Sequence, residues 1–334
     1  MAPDAPCTRL APSPTGPLHL GHALAFVGAW TLARRLGWRV ILRLDDLDAA
    51  RVRAGDADPI GTLRWLGLDW DGEPVRQSSR MDRYAAAMER LAAAGLVYTS
   101  PHSRSEVREA IRALGAPHEG ETPNRFPASL RPPAGAAWGF RDHAANHRMR
   151  VEPGAVRVRD ALLGEHVMEP AQEHGDFLLW TRGGVPSYQL ACTVDDVELG
   201  VSDVVRGQDL LASAALQQGI AAALGLPHPN WWHLPLVRDA EGRRLAKRDG
   251  AEGLPGLRAA GVSAARVRGL VGWWLGIHPL EPASPQALVA GCHPERLAQA
   301  ARDGFAASPR SATPELMGWL RGADVGTDTL ADHA

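Results

Sequence analysis

Cys7-Thr8-Arg9-Leu10-Ala11-Pro12-Ser13-Pro14-Thr15-Gly16-Pro17-Leu18-His19-Leu20-Gly21-His22, residues 7–22, decides the fold. Residues 7–10 read as a short strand that runs into a Pro/Gly turn over 12–17. His19 to about Leu36 has a helical pattern, apolar at Leu20, Leu24, Val27 and Leu32, and Gly37 stops it. Trp38–Leu44 is a second strand, and Asp45, Asp46 and Asp48 follow at its carboxyl end. Strand, turn, helix and strand in this order open a parallel α/β sheet. Ligands of such sheets sit beyond the carboxyl ends of the strands, where both the histidine pair and the aspartates fall.

Further along, helices are expected near 57–66 and 80–94. Residues 96–176, rich in proline with short polar and basic stretches, read as an insertion forming a second domain. The α/β pattern resumes with a strand at Phe177–Trp180, an apolar run at Ser187–Val194, a strand end at Val204–Gly207, an Ala-rich helix at Leu210–Leu224 and a strand at Trp231–Val237. Asp195-Asp196 is expected just after a strand. This divides the chain into a first Rossmann-like half (1–95), an inserted domain (96–176), a second half (177–237), and a loop with a short helical C-terminal region (238–334).

The 334 residues suffice for two or three domains. A formal charge of −2 leaves no global field to attract a polyanion, so nucleic-acid contact must come from a local basic patch. Cys7, Cys192 and Cys292 are scattered without paired spacing, which points to a reduced, cytoplasmic protein. No signal peptide and no membrane span are expected.

His19 and His22 stand at the mouth of a helix, whose free N–H groups and partial positive charge make a phosphate seat. Gly21 lets a nucleobase approach the backbone closely. A second signature, Arg244-Leu245-Ala246-Lys247-Arg248, follows a Trp-Trp-His-Leu-Pro-Leu strand and puts a mobile lysine charge where a leaving pyrophosphate would be. Arg9 and Arg206, at strand ends on the ligand side, have the fork geometry for carboxylates, and Tyr188 adds a hydroxyl and a ring wall. The aspartates at 45, 46 and 48 are ammonium or hydroxyl ligands in one reading and turn formers in the other. Together the signatures suggest a protein that holds ATP and directs a carboxylate at its α-phosphate.

These residues resemble the glutamyl-tRNA synthetases, a class I aminoacyl-tRNA synthetase family, over roughly residues 7–250. His19-Leu20-Gly21-His22 looks like the HIGH motif, and Arg244–Arg248 looks like the KMSKS motif. Tyr188-Gln189-Leu190-Ala191, Val194-Asp195-Asp196 and Val205–Leu211 are similar to the same family. The resemblance implies a Rossmann-like parallel sheet with an inserted domain. About 85 residues follow the KMSKS-type loop, too few for the family's anticodon-binding region, so the chain looks like the shortened branch that glutamylates queuosine. That implies activation of L-glutamate by ATP without tRNA, then transfer to queuosine at the wobble position of tRNA(Asp). By the same resemblance Arg9, Leu10, Ala11, Pro12, Ser13, Asp45, Tyr188 and Arg206 bind glutamate. His19, Gly21, His22 and Lys247 bind ATP, with His19, His22 and Lys247 catalytic and Mg²⁺ accompanying the nucleotide. A monomer is expected. The alternatives are a truncated enzyme charging a tRNA 3′ end and a non-catalytic RNA- or partner-binding paralog.

Two departures from the family stand out. Asp45 occupies the position of a glutamate that contacts the substrate α-amine. Relatives bind zinc in the inserted region through Cys, Cys, Tyr and Cys, and the corresponding residues here are Ser100, His102, Phe126 and Leu130. That set cannot make a tetrahedral site, so no structural zinc is expected, with Phe126 and Leu130 packing in its stead.

Overall fold

The structure is a computed structural model that describes residues 5–48, 58–113, 125–133, 135, 138–237, 253–302 and 313–323. The chain opens with β1 (Cys7–Leu10), α1 (Leu20–Arg35) and β2 (Arg39–Leu44), followed by α2 (Pro59–Trp65), β3 (Val75–Arg76) and α3 (Met81–Ala93). β1, β2 and β3 are parallel, in that order. Gly37 has φ +72°, the left-handed conformation that ends α1 as the sequence predicts. α1 is buried on both sides, packed on β1, β2 and β9 (Asp203–Gly207) and on α9 and α10 (Ala264–Trp274 and Pro285–Gly291). Gly28 permits that closeness, since a Cβ there would stand 2.7 Å from a Leu234 methyl.

Next come β4 (Val97–Thr99), α4 (Arg104–Ala113), β5 (His147–Met149), β6 (Val156–Asp160), β7 (Gly164–Met168), α5 (Pro170–Glu173) and β8 (Phe177–Trp180). The segment 96–176 is not one unit. β4, β5 and β8 form a small antiparallel sheet, whereas β6 pairs in parallel with β10 (Asn230–Leu234) of the main fold and carries β7 at its edge. The correction has a physical reason: pairing across more than 70 residues leaves no local signature, and short strands do not reveal their partners.

The second half comprises α6 (Tyr188–Glu198), β9, α7 (Leu211–Ala223) and β10, with strand order β7-β6-β10-β9. Ser202 N–H donates to the Cys7 carbonyl at 2.9 Å, which sets β9 beside β1. The switch point of the doubly wound fold therefore lies between β1 and β9. Ser187–Val194 is a second correction: it is the capped start of α6, with Ser187 Oγ accepting from Leu190 N–H, so Asp195 and Asp196 sit inside a helix rather than after a strand.

The remaining helices are α8 (Leu254–Ala259), α9, α10, α11 (Pro294–Arg302) and α12 (Pro314–Leu320). Leu270, Trp274 and Leu275 of this region join Leu24 and Val27 of α1 in one hydrophobic cluster, so the C-terminal helices complete the core. Among the described residues no helix is long and apolar enough to cross a membrane.

Candidate active site

A cleft of about 930 Å³ opens over the carboxyl ends of β1, β2 and β9. Arg9, Ala11, Ser13, His19, Gly21, His22, Asp45, Tyr188 and Arg206 line it, which brings nine of the sequence-predicted residues together. Leu10 and Pro12 do not line it. The Leu10 side chain is wholly buried in the core, and the Pro12 carbonyl accepts the Asp45 N–H at 3.1 Å, fixing the turn against β2. Arg244, Leu245, Ala246, Lys247 and Arg248 lie outside the described residues.

His19 is the N-cap of α1, and the two histidines cap the helix reciprocally. Gly21 N–H donates to His19 Nδ1 at 3.1 Å, and His19 N–H donates to His22 Nδ1 at 3.1 Å. A neutral imidazole whose Nδ1 accepts must carry its proton on Nε2. Each ring therefore carries its proton on Nε2, at a helix N-terminus where the macrodipole adds positive potential. The rings lie with centroids 3.8 Å apart. A Cβ on Gly21 would stand 3.0 Å from His19 Cε1, so this glycine makes room for the cap.

The end of the cleft lined by Arg9 and Asp45 rests on a buried charge cluster that single residues did not reveal. Arg43, fully buried, donates to Asp45 Oδ1 at 2.7 Å, to Asp196 Oδ1 at 2.7 Å and to Cys192 Sγ at 3.2 Å. Asp196 also faces Arg9 Nε at 3.4 Å, and Arg9 donates to the Val205 carbonyl at 3.2 Å. Asp195 takes hydrogen bonds from Tyr84, Gln77 and Arg80. Burial pushes the Cys192 thiol up to about 12, so it accepts from Arg43 as a neutral group. Burial also raises Asp45 above the ordinary aspartate range, although the Arg43 fork pulls the other way. The shorter Asp45 folds back on Arg43, with both its oxygens in that fork.

Arg206 is nearly buried and lies with its guanidinium carbon 4.7 Å from the Trp231 ring centroid. Its hydrogen bonds go to His233 Nε2 at 3.0 Å, Gln217 Oε1 at 2.9 Å and the Leu210 carbonyl at 3.1 Å. All three acceptors are uncharged when His233 is neutral. Burial lowers the Arg206 pKa, and the Arg9 charge pulls it the same way. A buried guanidinium with only neutral partners at the wall of a cleft is a seat for an anion. The Tyr188 ring is partly exposed at the cleft, where desolvation raises its phenol and Arg206, Arg9 and Asp45 act on it. Asp46, by contrast, accepts from Ser78 N–H and Oγ, each at 2.8 Å, and serves to hold a turn.

A family model described as tRNA synthetases class I (E and Q), catalytic domain, matches residues 7–254. The chain belongs to this family. As a class I synthetase it is a ligase, and enzymes of the family use ATP as a substrate. Among its relatives is a protein of Rhodobacter capsulatus named Glutamyl-Q tRNA(Asp) synthetase, 41% identical over 79% of this chain and 99% of its own. A protein of the same name from Geobacter sulfurreducens is 39% identical over 92% and 94%. The Glutamate–tRNA ligase 2 of Brucella ovis is 38% identical over 80% of this chain but only 56% of its own length. Among solved structures, the glutamate-tRNA synthetase of Elizabethkingia anophelis shares the fold with a TM-score of 0.75 at 24% identity, over 95% of this chain and 70% of that one.

The residues that the resemblance sets at zinc-ligand positions, Ser100, His102, Phe126 and Leu130, do not fit a metal. Arg148 covers the Phe126 ring at 3.8 Å and donates to the buried Ser100 hydroxyl at 3.2 Å, which leaves His102 as the sole nitrogen ligand type of the four. Structural zinc needs about four N, S or O donors, so no step is assigned to it.

Proposed function

We propose that this synthetase activates L-glutamate with ATP, without tRNA, and passes the glutamyl group to queuosine at the wobble position of tRNA(Asp). The observation that carries the amino-acid side is Arg206: a buried cation with uncharged partners, sharing with Arg9 the wall of a cleft that Tyr188 and Asp45 also line. A dicarboxylate with an ammonium group matches that charge pattern, with the arginines for its carboxylates and Asp45 for its amine. On the nucleotide side, His19 and His22 donate from Nε2–H to phosphate oxygens at the α1 N-terminus.

In the reaction a glutamate α-carboxylate oxygen attacks the α-phosphorus of ATP in line. The bond from that phosphorus to the bridging oxygen breaks, and pyrophosphate leaves. The protein contributes positioning and charge stabilisation rather than a covalent intermediate. Lys247 supplies a mobile cation to the leaving pyrophosphate. Mg²⁺ enters with ATP. No group of three His, Cys, Asp or Glu that could hold a metal occurs among the described residues, and no step is routed through the ion.

The acceptor rests on the relatives. Those named Glutamyl-Q tRNA(Asp) synthetase are matched over 94% and 99% of their length, whereas the glutamate–tRNA ligase is matched over 56%. The test is transfer of labelled glutamate, with ATP, to tRNA(Asp) with and without queuosine and to tRNA(Glu). Label confined to queuosine-containing tRNA(Asp) is expected. Label on tRNA(Glu) would replace the reading by an acceptor-end synthetase, and failure of ATP–pyrophosphate exchange would point to a non-catalytic paralog.

A further inference from the structure

Behind Arg206 lies a buried chain that never reaches the cleft. His233 on β10 is fully enclosed, and its Nε2 accepts from Arg206 Nε at 3.0 Å. Its Nδ1 lies 2.6 Å from Asp160 Oδ2 on β6. Since Nε2 accepts, the ring proton sits on Nδ1 and is donated to Asp160. Asp160 is itself held firmly. Its Oδ1 accepts from Leu162 and Leu163 N–H at 2.9 and 2.8 Å, and its Oδ2 also accepts from His233 N–H at 3.0 Å. Three neighbouring strands thus contribute one carboxylate, one imidazole and one guanidinium in line.

We infer that His233, oriented by Asp160, is the positioning residue for Arg206: its Nε2 lone pair aims the guanidinium at the substrate carboxylate, and protonation of His233 withdraws that support. The inference rests on the proposed glutamate activation. Hydrogen-bonding side chains that orient a buried donor commonly act in this way on metal-bound histidines, and the same logic applies to an arginine.

Protonated His233 would present N–H instead of a lone pair to Arg206 and set two cations side by side. The charged groups that act on it are Asp160 from β6 and Arg206 from β9. From α7 comes neutral Gln217, which binds Arg206 instead. The turn after β9 gives the Leu210 carbonyl and carries an exposed Asp209. The inward face of α11 is apolar, with Leu297, Ala298 and Ala301 buried. Burial holds the imidazole below the ordinary 6.5, and Arg206 adds to that against the pull of Asp160 and of the Leu210 carbonyl. The neutral form is therefore the one the fold prefers, and its support of Arg206 is lost as the pH falls below that range.

The experiment is ATP–pyrophosphate exchange on the full chain, with KM for glutamate and for ATP measured between about pH 5.5 and 8. In His233→Leu the acceptor is gone, and glutamate KM is expected to rise about tenfold or more, the loss of one charge-assisted hydrogen bond, with ATP KM within about twofold. His233→Gln offers a carboxamide oxygen that does not titrate. It should recover most of the affinity at neutral pH and flatten the acid-side rise in glutamate KM seen with the unmodified protein. A folded Leu variant with unchanged glutamate KM overturns the inference. Should that variant not fold, a folded Gln variant with the same acid-side rise in glutamate KM as the unmodified protein overturns it equally. Absence of any glutamate-dependent exchange by the unmodified protein would instead defeat the functional reading itself.

Discussion

Arg43→Met is the most exacting test of the charge cluster. The side chains are similar in reach, so the substitution removes a charge rather than opening a large void. In the unmodified chain Arg43 lies 2.7 Å from Asp45, 2.7 Å from Asp196 and 3.7 Å from Asp195. Its removal leaves Asp45 with no ion partner among the described residues, Asp196 with Arg9 alone at 3.4 Å, and Asp195 with Arg80 at 2.7 Å. Stripping one partner from a buried pair costs about 3–5 kcal/mol, because the remaining charge stays desolvated. The whole range applies here, since Asp45 loses its ion partner while Asp196 and Asp195 each keep one. At about 2–4 °C per kcal/mol, the expected fall in Tm is about 6–20 °C. Urea unfolding followed by tryptophan fluorescence measures the loss directly, and Arg43→Lys, which keeps the charge but not the fork, should lose much less. A Met variant within about 1 kcal/mol of the unmodified protein would refute the reasoning: the three aspartates would then not need this cation.

Other expected outcomes follow from single contacts. Gly21→Ala should raise ATP KM with little net change in stability, since the gain in helix propensity of about 1 kcal/mol offsets the disturbed His19 cap of similar size; an unchanged ATP KM would separate the cap from phosphate binding. Asp45→Asn should raise glutamate KM while the Tm moves little, because Arg43 keeps Asp196 at 2.7 Å; exchange kinetics and a melt read the two apart. Tyr84→Phe removes the hydroxyl that binds Asp195 at 2.9 Å and should cost about 1–2 kcal/mol in urea unfolding. Lys247→Ala should slow pyrophosphate exchange far more than it weakens glutamate binding measured by calorimetry.

What the sequence disclosed was local. The turn before His19, the stop at Gly37 and the apolar run of β2 each follow from the residues on the spot, and they set the sheet and the end of the cleft lined by His19 and His22. Ser187–Val194 misled because Thr193 and Val194 favour strands, while the deciding signal, a serine cap followed by buried positions through Asp196, depends on what α6 packs against. Asp195 and Asp196 gave no hint of burial, since their cations stand 115 and 153 residues away in the chain. His233 was visible only as part of a strand. Its use depends on Asp160, brought alongside by a pairing of β6 with β10 that no periodicity encodes.

The reciprocal capping of His19 and His22 has a consequence for how this enzyme could lose its activity. On the proposed reading, the two rings that cap the helix through Nδ1 are also the rings that meet the nucleotide. Damage to either ring, by substitution or by chemical modification at Nδ1, therefore frays the first turn of α1 as it removes a donor. Because α1 is the central post of the core, the loss would register as a local change in amide exchange at Gly21 and Ala23 as well as in turnover. His19→Asn, which keeps a capping oxygen, is then expected to hold the first turn while losing the second ring nitrogen, whereas His19→Leu loses both.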